Sequence, residues 1–139
     1  MADKRSEMLK KVPLFSACND KQIAFIGSQV EEMDFPAGKT LCRQGDSGGE
    51  FFVLLSGTCD VQVDGRSIRS LSDGDFFGEI ALIDHGPRTA TVIAKEPIRA
   101  LVLSRSQFQN VLHQNEEITM AVMAALGARL RTTLGTQSI

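Results

Sequence analysis

Hydrophobic positions divide the chain into three zones. Over residues 1–33, Met8, Leu9 and Val12, then Ile23, Phe25, Ile26 and Val30, recur at loose helical spacing. This zone is predicted helical, with a break at Pro13, which has no backbone donor to continue a helix. Asn19 or Asp20 precedes a predicted helix over 21–29, where either side chain can accept from the first free amides.

Residues 34–103 follow another rhythm. Short apolar runs alternate with Gly, Asp and Ser clusters at 44–50, 56–58, 63–66 and 72–75. Turns at such intervals are expected of a β-sandwich or barrel. Asp64-Gly65 separates the runs 59–63 and 66–71, and this dipeptide tolerates the positive φ angles of a two-residue hairpin turn. Phe51–Leu55 is apolar without interruption, as in a strand covered on both faces. Residues 78–86, GEIALIDHG, break the strand pattern and are predicted to form one helical turn and a loop.

Residues 104–135 return to helix. Ser104 or Ser106 can cap a short helix ending near His113, and Asn115 with Glu116 and Glu117 opens a longer one to about Leu134. The acidic start, and Arg129 and Arg131 near the end, suit the helix dipole, and Gly135 is a natural stop. Ile118, Met120, Val122, Met123, Leu126 and Leu130 spread apolar surface around most of this helix. It is expected to pack on the strands, on a second copy as a homodimer contact, or on both. The predicted fold class is α+β: an antiparallel β jelly roll flanked by N-terminal helices and two C-terminal helices, in a single domain over 1–139.

Composition narrows the function. A chain of 139 residues can bury a working core. No apolar run approaches the roughly 20 residues that span a bilayer, and the charged N-terminus has no signal-peptide core. A cytoplasmic protein with no membrane partner is therefore expected. Cys18, Cys42 and Cys59 form no CxxC pair and are expected to be small buried hydrophobes. The net charge is −2 and the basic residues are scattered, apart from Lys4, Arg5, Lys10 and Lys11, which speaks against a nucleic-acid partner. His85 and His113 are the only histidines and have no histidine neighbours. Neither a metal-dependent jelly-roll enzyme nor Ser-His-Asp chemistry is expected from them; the reading is no enzyme, no catalytic residue and no metal.

The chemistry is concentrated in Phe76–Val92, FFGEIALIDHGPRTATV. Gly78 permits close backbone approach to a ligand. Glu79–Leu82 can form a short helix whose first amides lack partners. Arg88 can grip two oxygens of one phosphate, and Thr89 and Ala90 add a hydroxyl and amides. Glu79 is an acceptor suited to a ribose hydroxyl. Together these groups match a phosphate joined to a sugar.

This stretch resembles the phosphate-binding cassette of cyclic-nucleotide-binding domains, which occur in protein kinase A regulatory subunits, nucleotide-gated channels and catabolite activator proteins. Phe77-Gly78-Glu79-Ile80-Ala81-Leu82, a loop over 83–86, and Pro87-Arg88-Thr89-Ala90-Thr91-Val92 match the family pattern at every position. Val12–Phe15, Gln44–Gly48, Phe51–Gly57 and the helix pair after Leu103 extend the resemblance to nearly the whole chain.

The resemblance implies a ligand site of Phe77, Gly78, Glu79, Ile80, Ala81, Arg88, Thr89 and Ala90. Glu79 and the Gly78 backbone would hold the ribose 2′-hydroxyl, and Arg88 an exocyclic phosphate oxygen. Amides near Ile80, Ala81, Thr89 and Ala90 would hold the phosphate too. Thr89 bears on base preference: its hydroxyl can reach the amino group of a syn guanine, yet cAMP-responsive members also carry Thr there. The ligand is read as cAMP in preference to cGMP. An aliphatic base lid from Met123, Leu126 or Leu130 stands beside ordinary core or dimer roles for the same residues. The function implied is a non-catalytic sensor or regulatory module acting on an effector protein in trans. The alternative is a degenerate fold kept as a protein-interaction scaffold, which usually loses the Glu or Arg retained here. With only four residues after Gly135, no appended DNA-recognition helix is expected, and Met1 is read as favouring a standalone protein, with a domain cut from a longer chain as the alternative.

Overall fold

The computed structural model describes residues 4–135. They divide into two compact units, Val30–Phe108 and a helical unit made of the segments up to Gln29 and from Gln109 onward.

The helical unit holds α1 (Lys4–Lys10), a 3-10 turn (Pro13–Phe15), α2 (Asp20–Gln29), the second half of α3 (Arg105–Gln114) and α4 (Glu116–Leu134). The break falls at Pro13, as its missing donor predicts. Asn19 is the cap of α2: its Oδ1 accepts from Gln22 N, and Gln22 Oε1 accepts from Asn19 N, both at 2.9 Å. This reciprocal pair satisfies two donors that a helix start leaves free. Asn115 caps α4 by accepting from Ile118 N at 3.1 Å, and Gly135, at φ 60°, ends it. Leu9, Leu14, Phe15, Ile23, Ile26 and Ile118 are buried, whereas Met120, Met123 and Leu130 on α4 are more than half exposed.

The predicted helical zone over 1–33 runs too far. Helix stops at Gln29, and residues 31–33 begin β1 (Glu31–Phe35). Pairing across the sheet overrides the local pattern: β1 lies antiparallel to β8 (Ile98–Ser104), and Arg99 on β8 pairs with Glu32 and Asp34 on β1.

The other unit is the expected antiparallel roll, and it has eight strands. One sheet has the order β1-β8-β3-β6, with β3 at Glu50–Ser56 and β6 at Phe76–Phe77. The second has the order β2-β7-β4-β5, with β2 Thr40–Cys42, β4 Cys59–Val63, β5 Arg66–Leu71 and β7 Thr91–Ala94. All pairings are antiparallel. Asp64 (φ 53°) and Gly65 (φ 80°) form the turn between β4 and β5, two left-handed residues whose twist suits a hairpin.

Leu54, Ile98 and Ala100 of the first sheet join Cys59, Val61, Leu71, Val92 and Ala94 of the second in one buried cluster. Each buried branched side chain contributes about 1.5–3 kcal/mol. The Phe52 ring meets Phe35 edge-on at 6.2 Å and stacks on Phe77 at 4.7 Å. That stack seats β6 on the core and fixes where the chain enters Gly78.

Candidate functional site

The cassette starts where β6 ends. Gly78 is left-handed, at φ 85°, and a Cβ there would lie 2.6 Å from Arg88 Nη1 and 2.7 Å from Glu50 O. Glycine is thus required twice, by backbone angle and by space. Glu79–Leu82 then forms the predicted helical turn, of 3-10 geometry. Ala81 N donates to Gly78 O at 3.1 Å, and Ile83 N and Asp84 N both donate to Ile80 O. Ala81 N, expected to face a phosphate, is therefore engaged inside the turn. The loop is closed by Asp84 Oδ1, which accepts from Gly86 N at 2.9 Å.

Arg88 is pinned by its backbone. Its N donates to Asp46 O at 2.8 Å, and its O accepts from Gly45 N at 2.9 Å. The glycine turn at 44–48 is thus the splint that sets the direction of the side chain. Gln44 N donates to Thr91 Oγ1 at 2.9 Å and extends the splint. The guanidinium then passes between two glycines: a Cβ on Gly48 would stand 2.9 Å from Nε. Nη2 donates to Glu50 O at 2.6 Å. Nε is buried with no hydrogen-bond partner among the described residues, an orphaned donor of the kind that polar ligands satisfy.

These groups face one cavity of about 370 Å³, within the range of small-molecule sites. Phe77, Gly78, Glu79, Ile80, Ala81, Arg88, Thr89 and Ala90 all line it. Among the described residues Glu79 is the one buried charged residue, at 7% exposure. A smaller cavity of about 240 Å³ lies against the same arginine, lined among others by Asp46, Gly48 and Glu50. Met123, Leu126 and Leu130, expected as a lid, lie on α4 in the helical unit, with Met123 and Leu130 at 58% and 59% exposure.

The sequence reading missed the opposite wall. Cys42, Val61, Arg69, Leu71 and Val92 also line the main cavity. The alternation of β4 and β7 could have marked Val61 and Val92 as inward-facing. Arg69 carried no such signal, because β5 is polar and exposed over nearly its whole length. Arg105 was missed too. Its guanidinium donates to Ala81 O at 3.0 and 2.8 Å and to Gly48 O at 3.2 Å, so it ties the cassette turn to the glycine turn.

Of the three cysteines, Cys59 is buried and Cys18 and Cys42 are partly buried. Burial pushes all three thiols up, Cys59 to about 11. At Cys42 the nearby Arg88 charge opposes that rise. Cys42 Sγ donates to Ala90 O at 3.6 Å. Among the described residues no three His, Cys, Asp or Glu side chains gather as metal ligands, and no helix is long and apolar enough to cross a membrane.

Comparison with known proteins agrees with this geometry. The sequence model of the cyclic nucleotide-binding domain matches residues 32–115. A cAMP-dependent protein kinase regulatory subunit of Aspergillus niger is 36% identical over 112 residues, covering 79% of this chain and 27% of that protein. A CRP-like cAMP-activated global transcriptional regulator of Mycobacterium tuberculosis is 28% identical over 132 residues, covering 91% of this chain and 59% of that one. The chain therefore spans about a quarter of the kinase subunit and somewhat over half of the transcriptional regulator. Among solved structures, the N-terminal domain of a transcriptional regulator from Streptomyces coelicolor A3(2) superposes with a TM-score of 0.82 at 32% identity, covering 91% of this chain and 94% of that one. The Thermus thermophilus catabolite activator protein superposes with a TM-score of 0.67 at 28% identity, over 88% and 60% of the two chains. The relatives so named are regulatory subunits and regulators, and with the roll, the cassette and the match over 32–115 the chain belongs to the cyclic nucleotide-binding domain family.

Proposed function

We propose that the main cavity binds a 3′,5′-cyclic nucleotide, with cAMP the favoured ligand, and that the chain works as a regulatory module rather than as a catalyst. The observation that carries this reading is the state of Arg88. Its guanidinium is held by one backbone carbonyl, flanked by two glycines, and keeps a buried Nε donor without a partner in the wall of the cavity. A phosphate oxygen satisfies such a donor with a charge-assisted bond. The buried Glu79 carboxylate, also in the wall, offers an acceptor to the ribose 2′-hydroxyl. The names of the relatives, in which cAMP recurs, support the choice of base. The chain is read as one domain acting on a partner in trans, and the exposed Met120, Met123 and Leu130 give α4 the apolar surface for a second copy.

Calorimetric titration of the nucleotide-stripped protein with cAMP and cGMP tests the reading. Binding at micromolar concentration or tighter is expected. Arg88→Ala should weaken it about 30-fold or more, because a buried charged hydrogen bond loses one partner. Glu79→Ala should weaken a ribose ligand more than its 2′-deoxy analogue. Silence toward both nucleotides, or an Arg88→Ala variant with unchanged Kd, would overturn the proposal in favour of a scaffold role.

A further inference from the structure

Gln44 and Asp64 stand 20 positions apart in the chain and hold each other with two hydrogen bonds. Gln44 Nε2 donates to Asp64 Oδ1 at 3.0 Å, and Asp64 N donates to Gln44 Oε1 at 2.8 Å. The pair closes a ring between the glycine turn at 44–48 and the tip of the β4–β5 hairpin. Asp64 is the one residue other than glycine with a positive φ among the described residues. Aspartate tolerates that backbone conformation better than most residues, and here its carboxylate is in use as well.

The side chain of Gln44 thus holds the hairpin while its backbone holds the cassette. Gln44 N donates to Thr91 Oγ1. The next two residues, Gly45 and Asp46, bond the backbone O and N of Arg88. The Arg88 guanidinium leaves this clamp with a bond to Glu50 O and a buried Nε that has no partner among the described residues. Its direction therefore depends on the backbone from which it grows. Neither Gln44 nor Asp64 lines the main or the smaller cavity. What they do for a ligand there, they do through Arg88.

We propose that Gln44 and Asp64 are positioning residues for the cyclic nucleotide: their clasp keeps the glycine turn in place against residues 88–91 and so holds Arg88 aimed at the phosphate before the ligand arrives. This rests on the cyclic-nucleotide reading above and adds to it two residues outside the cavity wall. Opening the clasp lets the turn and the guanidinium sample other directions. A ligand that binds only the aimed state then has its apparent affinity reduced by the fraction of chains in that state. The loss falls on the association rate. The dissociation rate holds, because the contacts of the bound complex are unaltered.

The test exchanges donor and acceptor. Gln44→Glu leaves the backbone bonds of position 44 in place, removes the side-chain donor and sets one carboxylate against another. Asp64→Asn keeps the Oδ1 acceptor and tolerates the positive φ, so alone it should bind like the wild type. Combined with Gln44→Glu, its amide donates to the new carboxylate and closes the ring again with that bond reversed. Association and dissociation rates of cAMP are measured by stopped flow for the full chain and the three variants. Gln44→Glu should associate roughly three- to tenfold more slowly, the fold-change of one or two lost hydrogen bonds, with dissociation changed less than about twofold. The double variant should return close to the wild-type rates. In the nucleotide-free protein the Arg88 Nε proton, followed by heteronuclear NMR, should exchange with water faster in Gln44→Glu than in the wild type or the double variant.

Faster dissociation with unchanged association would place Gln44 among the contacts of the bound state and overturn the positioning role. A double variant no better than Gln44→Glu would overturn it too, as would unaltered rates and exchange throughout. A wild-type chain that binds no cAMP would overturn the parent reading, while the Nε exchange, read without nucleotide, still decides whether the clasp aims Arg88. Should Gln44→Glu fail to fold, Asp64→Gly carries the same measurements: it keeps the turn conformation and loses only the Oδ1 acceptor, and its loss should fall at the lower end of that range.

Discussion

Arg105 holds the carbonyl of Ala81 with two donors at once, Nε at 3.0 Å and Nη2 at 2.8 Å. The first residue of α3 thus grips the cassette turn 24 positions upstream. The same guanidinium reaches Gly48 O at 3.2 Å. One side chain therefore fixes the distance between the turn that follows Gly78 and the loop that aims Arg88. Arg105→Gln removes this clamp without entering the cavity, whose lining does not include Arg105. Bonds to a charged donor contribute about 1.5–3 kcal/mol. The variant is expected to bind cyclic nucleotide about tenfold more weakly or worse and to exchange the Ile83 and Asp84 amide protons faster. Unchanged exchange at those two amides would refute the clamp.

Gly48 has no positive φ and could take a side chain on backbone grounds, but its Cβ would press on Arg88 Nε at 2.9 Å and Nη2 at 3.1 Å. Gly48→Ala should thus act only through the arginine. A double-mutant cycle with Arg88→Ala reads this directly. Gly48→Ala is expected to weaken nucleotide binding severalfold in the wild-type background and to change nothing further once Arg88 is alanine. Additive losses would show that Gly48 matters for some other reason.

Cys59 supplies a pH dependence. It is fully buried between the sheets, and burial holds its thiol at about 11 in the folded chain, against about 8.5 for a free cysteine. The neutral thiol is the form the fold prefers. Its contribution is complete below the free value and declines as pH rises through about 11. The stability difference between wild type and Cys59→Ala, measured by urea unfolding, should therefore shrink steadily from pH 8 to pH 11. A constant difference over that range would contradict the assignment. Cys59 should also be the slowest of the three thiols to react with an alkylating reagent at pH 8, since the thiolate is the nucleophile.

The legible parts of this protein are those written in short stretches of chain. Asp64-Gly65 carries its own turn geometry, Asn19 and Asn115 cap the helices that follow them, and the cassette from Phe77 to Val92 is contiguous. What escaped was settled at long range. Glu31, Glu32 and Met33 have little strand character of their own and become a strand only because β8 offers Arg99 and an open edge. Arg69 looks like one more surface residue until the register places it beside Val61 on the cavity wall. Arg105 has a role only because Ala81 and Gly48 are brought to it from 24 and 57 positions away.

The sleeve around Arg88 has a consequence for how such a chain can drift. Gly48 and Gly78 are kept bare by the guanidinium lying against them. If a descendant loses the arginine, the steric reason for a bare backbone at position 48 disappears with it, and ordinary side chains become admissible there. The strain at Gly78, which follows from φ 85°, persists whether or not the arginine stays. Loss of ligand sensing in a lineage should accordingly leave an ordered trace: substitutions accumulate at position 48 soon after position 88 changes, while position 78 remains glycine for as long as the roll itself is needed.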